Sequence, residues 1–313
     1  MGGFTYTAFG LTIASDMHFP ELLSGSGEPD ITVVRGEVPA TLPGAEQIFP
    51  RCYALPGQLL LDVIGSARFL VRHGNEIIFD PHPDASEDDV RLYLLGSAMG
   101  ALMHQRGILV LHGCTVLVNG GGVVFLGNSG SGKSTLATEL SRRGYPCIGD
   151  DLCAVSIGDD GVPHAAPAYP QAKLCLDALE HFGLEADKLR RIRPSRDKRA
   201  VPLAAHAVDP VLLKGIYILH PVQTGTGVRL RRVNGPMKIR ALRDHTYRVR
   251  FLRALDLSAH HFTQIAHLAS TLPLTRICRS PEECPIDLLA DAVEELLAER
   301  GLAAAGRHAG QAS

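Results

Sequence analysis

The chain has 313 residues, 45% of them hydrophobic and 20% charged, which excludes a disordered protein and allows one large domain or two of ordinary size. Its net charge of −2 excludes a general attraction to nucleic acid or to a membrane surface, so an anion site must be a local cluster of positive charge. The seven cysteines are odd in number and form no C-x-x-C pair, so neither a disulfide framework nor a zinc site is indicated.

The sequence shows no sign of a targeting or membrane-spanning segment. The N-terminal residues lack the basic start and the long apolar core of a signal peptide. The longest nearly apolar stretch, Leu92–Met103, is too short to cross a bilayer. We therefore expect a cytoplasmic protein with reduced thiols.

Residues 1–85 are predicted to form a small β-rich N-terminal lobe. Glycine-containing turns separate three short apolar or alternating runs, as in an antiparallel meander. These runs are Gln58–Ile64, Ala67–His73 and Glu76–Phe79. No residue pattern in this region indicates chemistry.

Residues 86–300 are predicted to form the catalytic domain, which opens with a helix from Ser86 to about Gln105. Ser86 is followed by acidic residues, the pattern of a helix N-cap. Two strands then follow, Ile108–His112 and Thr115–Val118, and the turn Asn119-Gly120 predicts a hairpin into the strand Val123–Leu126.

The segment Gly127-Asn128-Ser129-Gly130-Ser131-Gly132-Lys133-Ser134 matches the phosphate-binding pattern G-x-x-x-x-G-K-[ST]. Glycines let successive amide N–H groups turn around an anion, and Lys133 places a positive charge beside the β- and γ-phosphates. The Ser134 hydroxyl is suited to Mg²⁺. An apolar strand precedes the loop, and an amphipathic helix from Lys133 to Arg143 follows it, so the context is the one that the motif requires.

Asp150 and Asp151 follow the short apolar run that begins at Cys147. Neighbouring residues of a strand face opposite ways, so one carboxylate could act as a base toward an acceptor hydroxyl while the other supports Mg²⁺. A solvent-facing turn is the alternative for an Asp pair. His112, at the end of its strand, could orient a catalytic carboxylate or have a structural role.

The segment 188–199 carries seven basic residues and one acid. It could close over a triphosphate or bind an acidic substrate, with Lys198 and Arg199 favoured as ligands because a strand-like run follows them. A solvated surface is the alternative. Further along, the sequence predicts a strand, three helices and a fraying tail. These are Leu212–Leu219, then Met237–Arg253, Ser258–Thr271 and Ile286–Arg300, then residues 301–313.

From His112-Gly113 through the phosphate loop to Arg143-Gly144-Tyr145 and Gly149-Asp150-Asp151, the sequence resembles the catalytic domain of HPr kinase/phosphorylase. The resemblance implies an α/β P-loop kinase domain of the type shared with phosphoenolpyruvate carboxykinase. It also implies that Asp150 accepts the proton of the acceptor serine, that His112 is its partner, and that Lys133 and Ser134 handle phosphate and Mg²⁺. A homo-oligomer is a further implication of the resemblance.

The resemblance has limits that bear on the substrate. The family has Glu where this chain has Thr135, its glycine-rich signature segment has no clear counterpart after Val155, and its N-terminal domain is unlike residues 1–80. HPr itself and the reverse phosphorolysis are therefore not carried over. The chain is more similar to shorter HPr kinase-like proteins, among which are kinases of lasso-peptide precursors.

Together these features predict a Mg²⁺- and ATP-dependent serine kinase that acts on a peptide or protein. The nucleotide would contact residues 127–135, Lys198 and Arg199. Ser134 and Asp151 would hold Mg²⁺, and Asp150, Lys133 and His112 would act in catalysis. Two alternatives stay open: a kinase for a small metabolite such as free serine, and an ATP-sensing module without catalysis.

Overall fold

A computed structural model describes residues 3–193, 196–203, 209–225 and 227–302 of the chain. The fold is mixed α/β, as predicted, with two nine-stranded sheets and one three-stranded sheet. All seven cysteines carry free thiols, and only Cys175 is exposed. Within the described ranges, none of the helices is both long enough and apolar enough to span a bilayer.

The first sheet is formed by residues near the N-terminus and has the order β3-β1-β2-β4-β9-β8-β7-β6-β5. Its strands are β1 (Phe4–Ala8), β2 (Leu11–Ser15), β3 (Leu23–Ser24), β4 (Ile31–Arg35), β5 (Glu46–Phe49), β6 (Cys52–Leu55), β7 (Gln58–Asp62), β8 (Ala67–Arg72) and β9 (Glu76–Pro81). Strands β6 to β9 pair antiparallel with their neighbours in sequence, which confirms the predicted meander.

A helical run packs on this sheet. It consists of α1 (Glu87–Tyr93), a π-helical turn (Leu94–Ala98) and α2 (Met99–Gln105). The Ser86 hydroxyl accepts a hydrogen bond from the Asp89 amide at 3.1 Å, which confirms the predicted cap, whereas the π turn was not predicted. Apolar side chains of the sheet, this run and the second sheet share one core, so the division at residue 85 stays a prediction.

The second sheet runs β10-β14-β15-β19-β12-β11-β13, with β21 pairing β19 and β20 pairing β21. Its strands are β10 (Leu109–Leu111), β11 (Gly113–Val118), β12 (Gly121–Gly127), β13 (Cys147–Asp150), β14 (Cys153–Ile157), β15 (Pro163–Ala166), β19 (Val211–Pro221), β20 (Arg229–Arg232) and β21 (Leu274–Arg279). The Asn119-Gly120 hairpin and the strand at 212–219 are confirmed. Because β12, β19 and β21 are parallel, their carboxyl ends meet at one edge.

The remaining elements cover the second sheet and flank that edge. The helices are α3 (Lys133–Arg142), α4 (Leu176–His181), a 3-10 turn (Ala186–Lys188), α5 (Pro236–Asp244), α6 (Phe251–Ala254), α7 (Ser258–Thr271) and α8 (Ile286–Glu299). A small sheet has the order β16 (Gln171–Cys175), β18 (Arg196–Pro202), β17 (Arg191–Arg193). α3 and α8 pack on one face of the second sheet, while α5 and α7 pack on the other.

The single helix predicted over Met237–Arg253 is wrong. α5 ends at Asp244, and the chain then docks on β10 through a bridge between Thr246 and Leu111. The His112 amide donates to the His245 carbonyl at 2.8 Å, and the Tyr247 amide donates to the Val110 carbonyl at 2.8 Å. Since these bonds and a left-handed Arg248 (φ 50°) are incompatible with a helix, the helical periodicity is interrupted here.

Candidate active site

The glycine-rich segment forms a loop between β12 and α3, as the sequence predicts. Gly132 begins the helix in the left-handed region, with φ 92°, where other residues are strained. A Cβ on Gly132 would also lie 2.9 Å from the Arg279 guanidinium, so a side chain there would displace that group. The amides at the start of α3 and the positive end of its dipole therefore face the cavity edge, an arrangement suited to an anion.

Lys133 is buried in the wall of this loop. Its ammonium donates to the carbonyls of Gly127 at 2.8 Å and Asn128 at 3.0 Å. Burial lowers the pKa of Lys133 from its ordinary value, which means that the charge lacks full solvation. A bound anion beside this ammonium would supply the missing stabilisation.

Asp150, at the end of β13, is 2% exposed. Its carboxylate accepts a hydrogen bond from the Ser134 hydroxyl at 2.9 Å and another from the Lys173 amide at 3.0 Å. Burial, with the neighbouring Asp151 charge, raises the pKa of Asp150. A hydroxyl and a carboxylate in contact at the phosphate loop are hard oxygen donors, which fits Mg²⁺.

Asp151 has a left-handed backbone, φ 76°, and its side chain takes a different set of partners. His112 Nδ1 lies 3.2 Å from the main-chain carbonyl of Asp151 and 3.3 Å from one of its carboxylate oxygens, and the other carboxylate oxygen accepts from the Lys173 ammonium at 2.7 Å. Burial alone would raise the pKa of Asp151, but Lys173 and the His112 hydrogen bond hold it well below its usual range. Asp151 is thus an ionised acceptor held from two sides.

These contacts reverse the predicted pairing. Sequence reasoning placed His112 with Asp150, and Ser134 with Asp151, whereas the structure pairs His112 with Asp151 and Ser134 with Asp150. The reason is local backbone geometry. Asp150 still belongs to the strand and points inward, and the chain turns at the left-handed Asp151, which directs the second carboxylate toward His112.

A cavity of about 450 Å³ collects these groups. One side, which we call the loop wall, comes from the phosphate loop and the end of β21. The loop wall consists of Ser129, Gly130, Gly132, Lys133, Ser134, Thr135 and Arg279. A second group of lining residues, which we call the tyrosine wall, consists of Tyr93, Gly96, Ser97, Tyr247 and Arg248. His112, Asp150, Asp151 and Lys173 also line the cavity.

The tyrosine wall exists because the break after α5 brings Tyr247 against the helical run. A Cβ on Gly100 would lie 2.8 Å from the Tyr247 ring, so glycine is what permits this close approach. The Tyr247 carbonyl is 2.9 Å from His104 Nε2, and the Arg248 guanidinium donates to the Ser97 hydroxyl at 2.9 Å. No sequence pattern indicates this wall, because the periodicity of the residues after Met237 predicts an uninterrupted helix here.

Arg279 also lines the cavity, although no sequence motif points to it. It is 8% exposed, donates to the Cys284 carbonyl at 2.6 Å, and has a buried Nε without a hydrogen-bond partner among the described residues. Burial lowers its pKa. Arg279 is the last residue of β21, which runs parallel to β19, the neighbour of β12. Its place at the carboxyl end of an apolar strand is the one sequence feature that could have indicated a role at this edge of the sheet.

Among its described residues, the basic segment contributes the apolar Ile192 and one charged side chain to the cavity. Residues 196–202 form β18, which pairs with β16. Lys198 lines the cavity. Arg199 does not line it and instead donates to the Ala186 carbonyl at 3.0 Å, so its predicted contact with nucleotide is not supported by its position. Residues 194 and 195 lie outside the described ranges.

Curated relatives share the name HPr kinase/phosphorylase. The Azoarcus sp. (strain BH72) protein is 40% identical over 111 residues, which cover 35% of this chain and 31% of the relative. The Paraburkholderia xenovorans (strain LB400) protein is 29% identical over 208 residues, which cover 61% of this chain and 55% of the relative. The chain thus spans about a third to about half of the length of these relatives.

No protein-family model matches the chain. Among solved structures, the HPr(Ser) kinase/phosphatase of Coxiella burnetii aligns with 61% of this chain and 98% of its own, with 12% identity and a TM-score of 0.32. A score of this size carries no argument about the site.

Proposed function

We propose that this chain, whose similarities support an HPr kinase-like family, is a Mg²⁺- and ATP-dependent kinase that phosphorylates a serine hydroxyl of a peptide or protein. The observation that carries the proposal is the placement of Asp151 and His112 in the same cavity as the phosphate loop. A phosphate donor and a hydroxyl acceptor can meet in such a cavity without a covalent enzyme intermediate.

Each residue then has a separate task. The loop amides, Lys133 and Arg279 bind the donor phosphates, and Ser134 with Asp150 is the pair suited to hold Mg²⁺. Mg²⁺, when bound, neutralises phosphate charge. Asp151 accepts the proton of the acceptor hydroxyl as that oxygen bonds to the γ-phosphorus and the bond to the ADP oxygen breaks. His112 and Lys173 keep the Asp151 carboxylate oriented and ionised.

The acceptor is proposed at two levels. The name HPr kinase/phosphorylase, which the curated relatives carry, supports a peptide or protein as the acceptor, and the serine hydroxyl is part of the proposal. A lasso-peptide precursor is the finer candidate that the sequence resemblance names. Assembly into a homo-oligomer stays a prediction.

A comparison of two amide variants tests the proposal. With ATP, Mg²⁺ and serine peptides, Asp151→Asn is expected to lower the rate of phosphopeptide formation by about 10²- to 10⁴-fold while it retains nucleotide binding. Asp150→Asn is expected to weaken the Mg²⁺ dependence instead. Phosphopeptide is measured by mass spectrometry and nucleotide binding by calorimetry.

Asp159→Asn, an exposed acid away from the cavity, is the control and should leave both measurements unchanged. Full transfer by Asp151→Asn would remove that residue from the mechanism, and loss of transfer in Asp150→Asn alone would restore the assignment made from sequence. Phosphorylation of free serine at the peptide rate would favour a metabolite kinase. Binding without any transfer to peptide or free serine would favour an ATP sensor.

A further inference from the structure

Arg248 is a cation at the cavity for which the proposed chemistry has no use. Its guanidinium donates to the Ser97 hydroxyl at 2.9 Å, and its Cζ lies 5.6 Å from the Tyr247 ring centroid. Within the described ranges, no carboxylate forms an ion pair with it, whereas the nearby Arg253 pairs with Glu46. Arg248 is exposed on the cavity side and can therefore accept an anionic partner.

The backbone at Arg248 is held in an unfavourable conformation. Its φ of 50° lies in the left-handed region, which costs energy for a residue with a side chain. The preceding Tyr247 is bonded through both its amide and its carbonyl, so the surrounding structure enforces this geometry. Such local strain clusters at ligand sites, where it directs a side chain toward its target.

The residue that holds the guanidinium is itself in an unusual position. Ser97 is 2% exposed and belongs to the π-helical turn Leu94–Ala98. π turns inside helices are rare and are frequent at functional sites. The left-handed backbone at Arg248 and the π turn that contains Ser97 are far apart in sequence, and both are in contact through the Arg248 guanidinium, which lines the cavity.

The position of Arg248 relates it to the acceptor rather than to the nucleotide. The Tyr247 ring is close to both His112 and Arg248: its centroid is 6.0 Å from that of His112, and the Arg248 guanidinium packs over the same ring. An acceptor with its hydroxyl at the Asp151–His112 pair would place the neighbouring atoms along Tyr247 toward Arg248.

We propose that Arg248 binds a carboxylate of the phosphate acceptor, close to the hydroxyl that is phosphorylated. This inference rests on the proposed function, because it names the substrate class of the same site. A guanidinium fits a carboxylate with two parallel hydrogen bonds. The carboxylate can be the C-terminus of an acceptor or an acidic side chain next to its serine, and both present the same chemistry.

Four synthetic probes separate these sources. The first pair is acetyl-Ala-Gly-Ser with a free C-terminal carboxylate and the same peptide as an amide. The second pair is acetyl-Ala-Ser-Asp-Ala-amide and its Asn counterpart. Transfer from Mg²⁺-ATP is measured as kcat/KM, and binding is measured by calorimetry with Mg²⁺ and a non-hydrolysable ATP analogue.

Wild-type protein is expected to favour at least one carboxylate probe over its neutral partner by about 10- to 100-fold, the size of charge-assisted hydrogen bonds. Arg248→Met should abolish this preference without changing nucleotide affinity, and Arg248→Lys should restore part of it. Arg250→Met is the matched control, since Arg250 is an exposed arginine in the same segment that does not line this cavity. It should behave as wild type.

Equal binding of charged and neutral probes by the wild type, or a preference that persists in Arg248→Met, would overturn the inference. Failure to bind any of the probes would do the same. If the carboxylate preference appears in binding but no phosphate is transferred, the inference stands and the proposed kinase function fails. If phosphate is transferred to all probes without a preference, the proposed kinase function stands and the inference about Arg248 fails.

Discussion

The two walls of the cavity are built in different ways. Most of the loop wall comes from one continuous segment between β12 and α3, with Arg279 added from β21. The tyrosine wall joins the π turn to a break after α5 that lies about 150 residues away, as the Arg248–Ser97 contact spans 151 positions. Every ATP presents the same phosphates, so one compact motif can bind them, whereas an acceptor site is particular to its substrate and needs no general motif.

If the walls have separate tasks, a substitution in one wall should change the kinetic constants for the nucleotide or for the acceptor, but not for both. The largest effect is expected in the loop wall. Arg279→Met should lower kcat/KM for ATP by about 10- to 100-fold, because a buried guanidinium that could bind phosphate is lost. KM for the acceptor should not change. Initial rates at varied ATP concentration give kcat/KM for ATP, and initial rates at varied acceptor concentration give KM for the acceptor.

Arg231→Met, an exposed arginine on the adjacent strand, is the matched control for Arg279. Because Arg279 also donates to the Cys284 carbonyl, a thermal melt checks the fold of the variant. An equal rise of KM for both substrates would show that the walls do not act separately.

A smaller effect is expected from the tyrosine wall. In Gly100→Ala the new methyl group would meet the Tyr247 ring at 2.8 Å, so the ring must shift. We expect a loss of about 1–3 kcal/mol in the free energy of unfolding, the usual cost of overpacking, and a higher KM for the acceptor. Urea denaturation and acceptor kinetics check the two effects. Weaker nucleotide binding with an unchanged acceptor KM would contradict the assignment of this wall.

The smallest effect on the rate at neutral pH is expected from Lys173→Met, a substitution of a cavity-lining residue that belongs to neither wall. Lys173 is the main favourable charge near Asp151, so its removal raises the pKa of that carboxyl. If Asp151 is the base, as proposed, it then takes up its proton at higher pH, and the acid limb of the rate profile moves upward in pH. Although burial opposes the charged form, Asp151 raises the pKa of Lys173, so Lys173 itself does not titrate on that limb.

Rates measured from pH 5 to pH 9 check this prediction, and Lys173→Arg, which keeps the charge, should resemble the wild type. An unchanged acid limb in Lys173→Met would mean that Asp151 is not the proton acceptor. The effect at high pH should be small, since the carboxylate is ionised there in both proteins.

Much of the fold was predictable because its signals are local. The meander of β6–β9, the Ser86 cap, the Asn119-Gly120 hairpin, and the order of strand, loop and helix around Lys133 each depend on residues close in sequence. α7 has the predicted bounds, Ser258–Thr271, for the same reason. The π turn and the break at Thr246 were not predictable, because both depend on packing against distant segments.

The sequence by itself determined which residues gather at the site: most of the phosphate loop, His112 and the two adjacent acids line the cavity. Tertiary structure decided which acid meets which partner. Asp150 is drawn to Ser134 and Asp151 to His112 and Lys173, because the backbone turns between the two acids and the partners come from separate elements. Tertiary structure also formed the tyrosine wall. The helical pattern after α5 is interrupted because the backbone there makes hydrogen bonds to residues of and next to β10 instead.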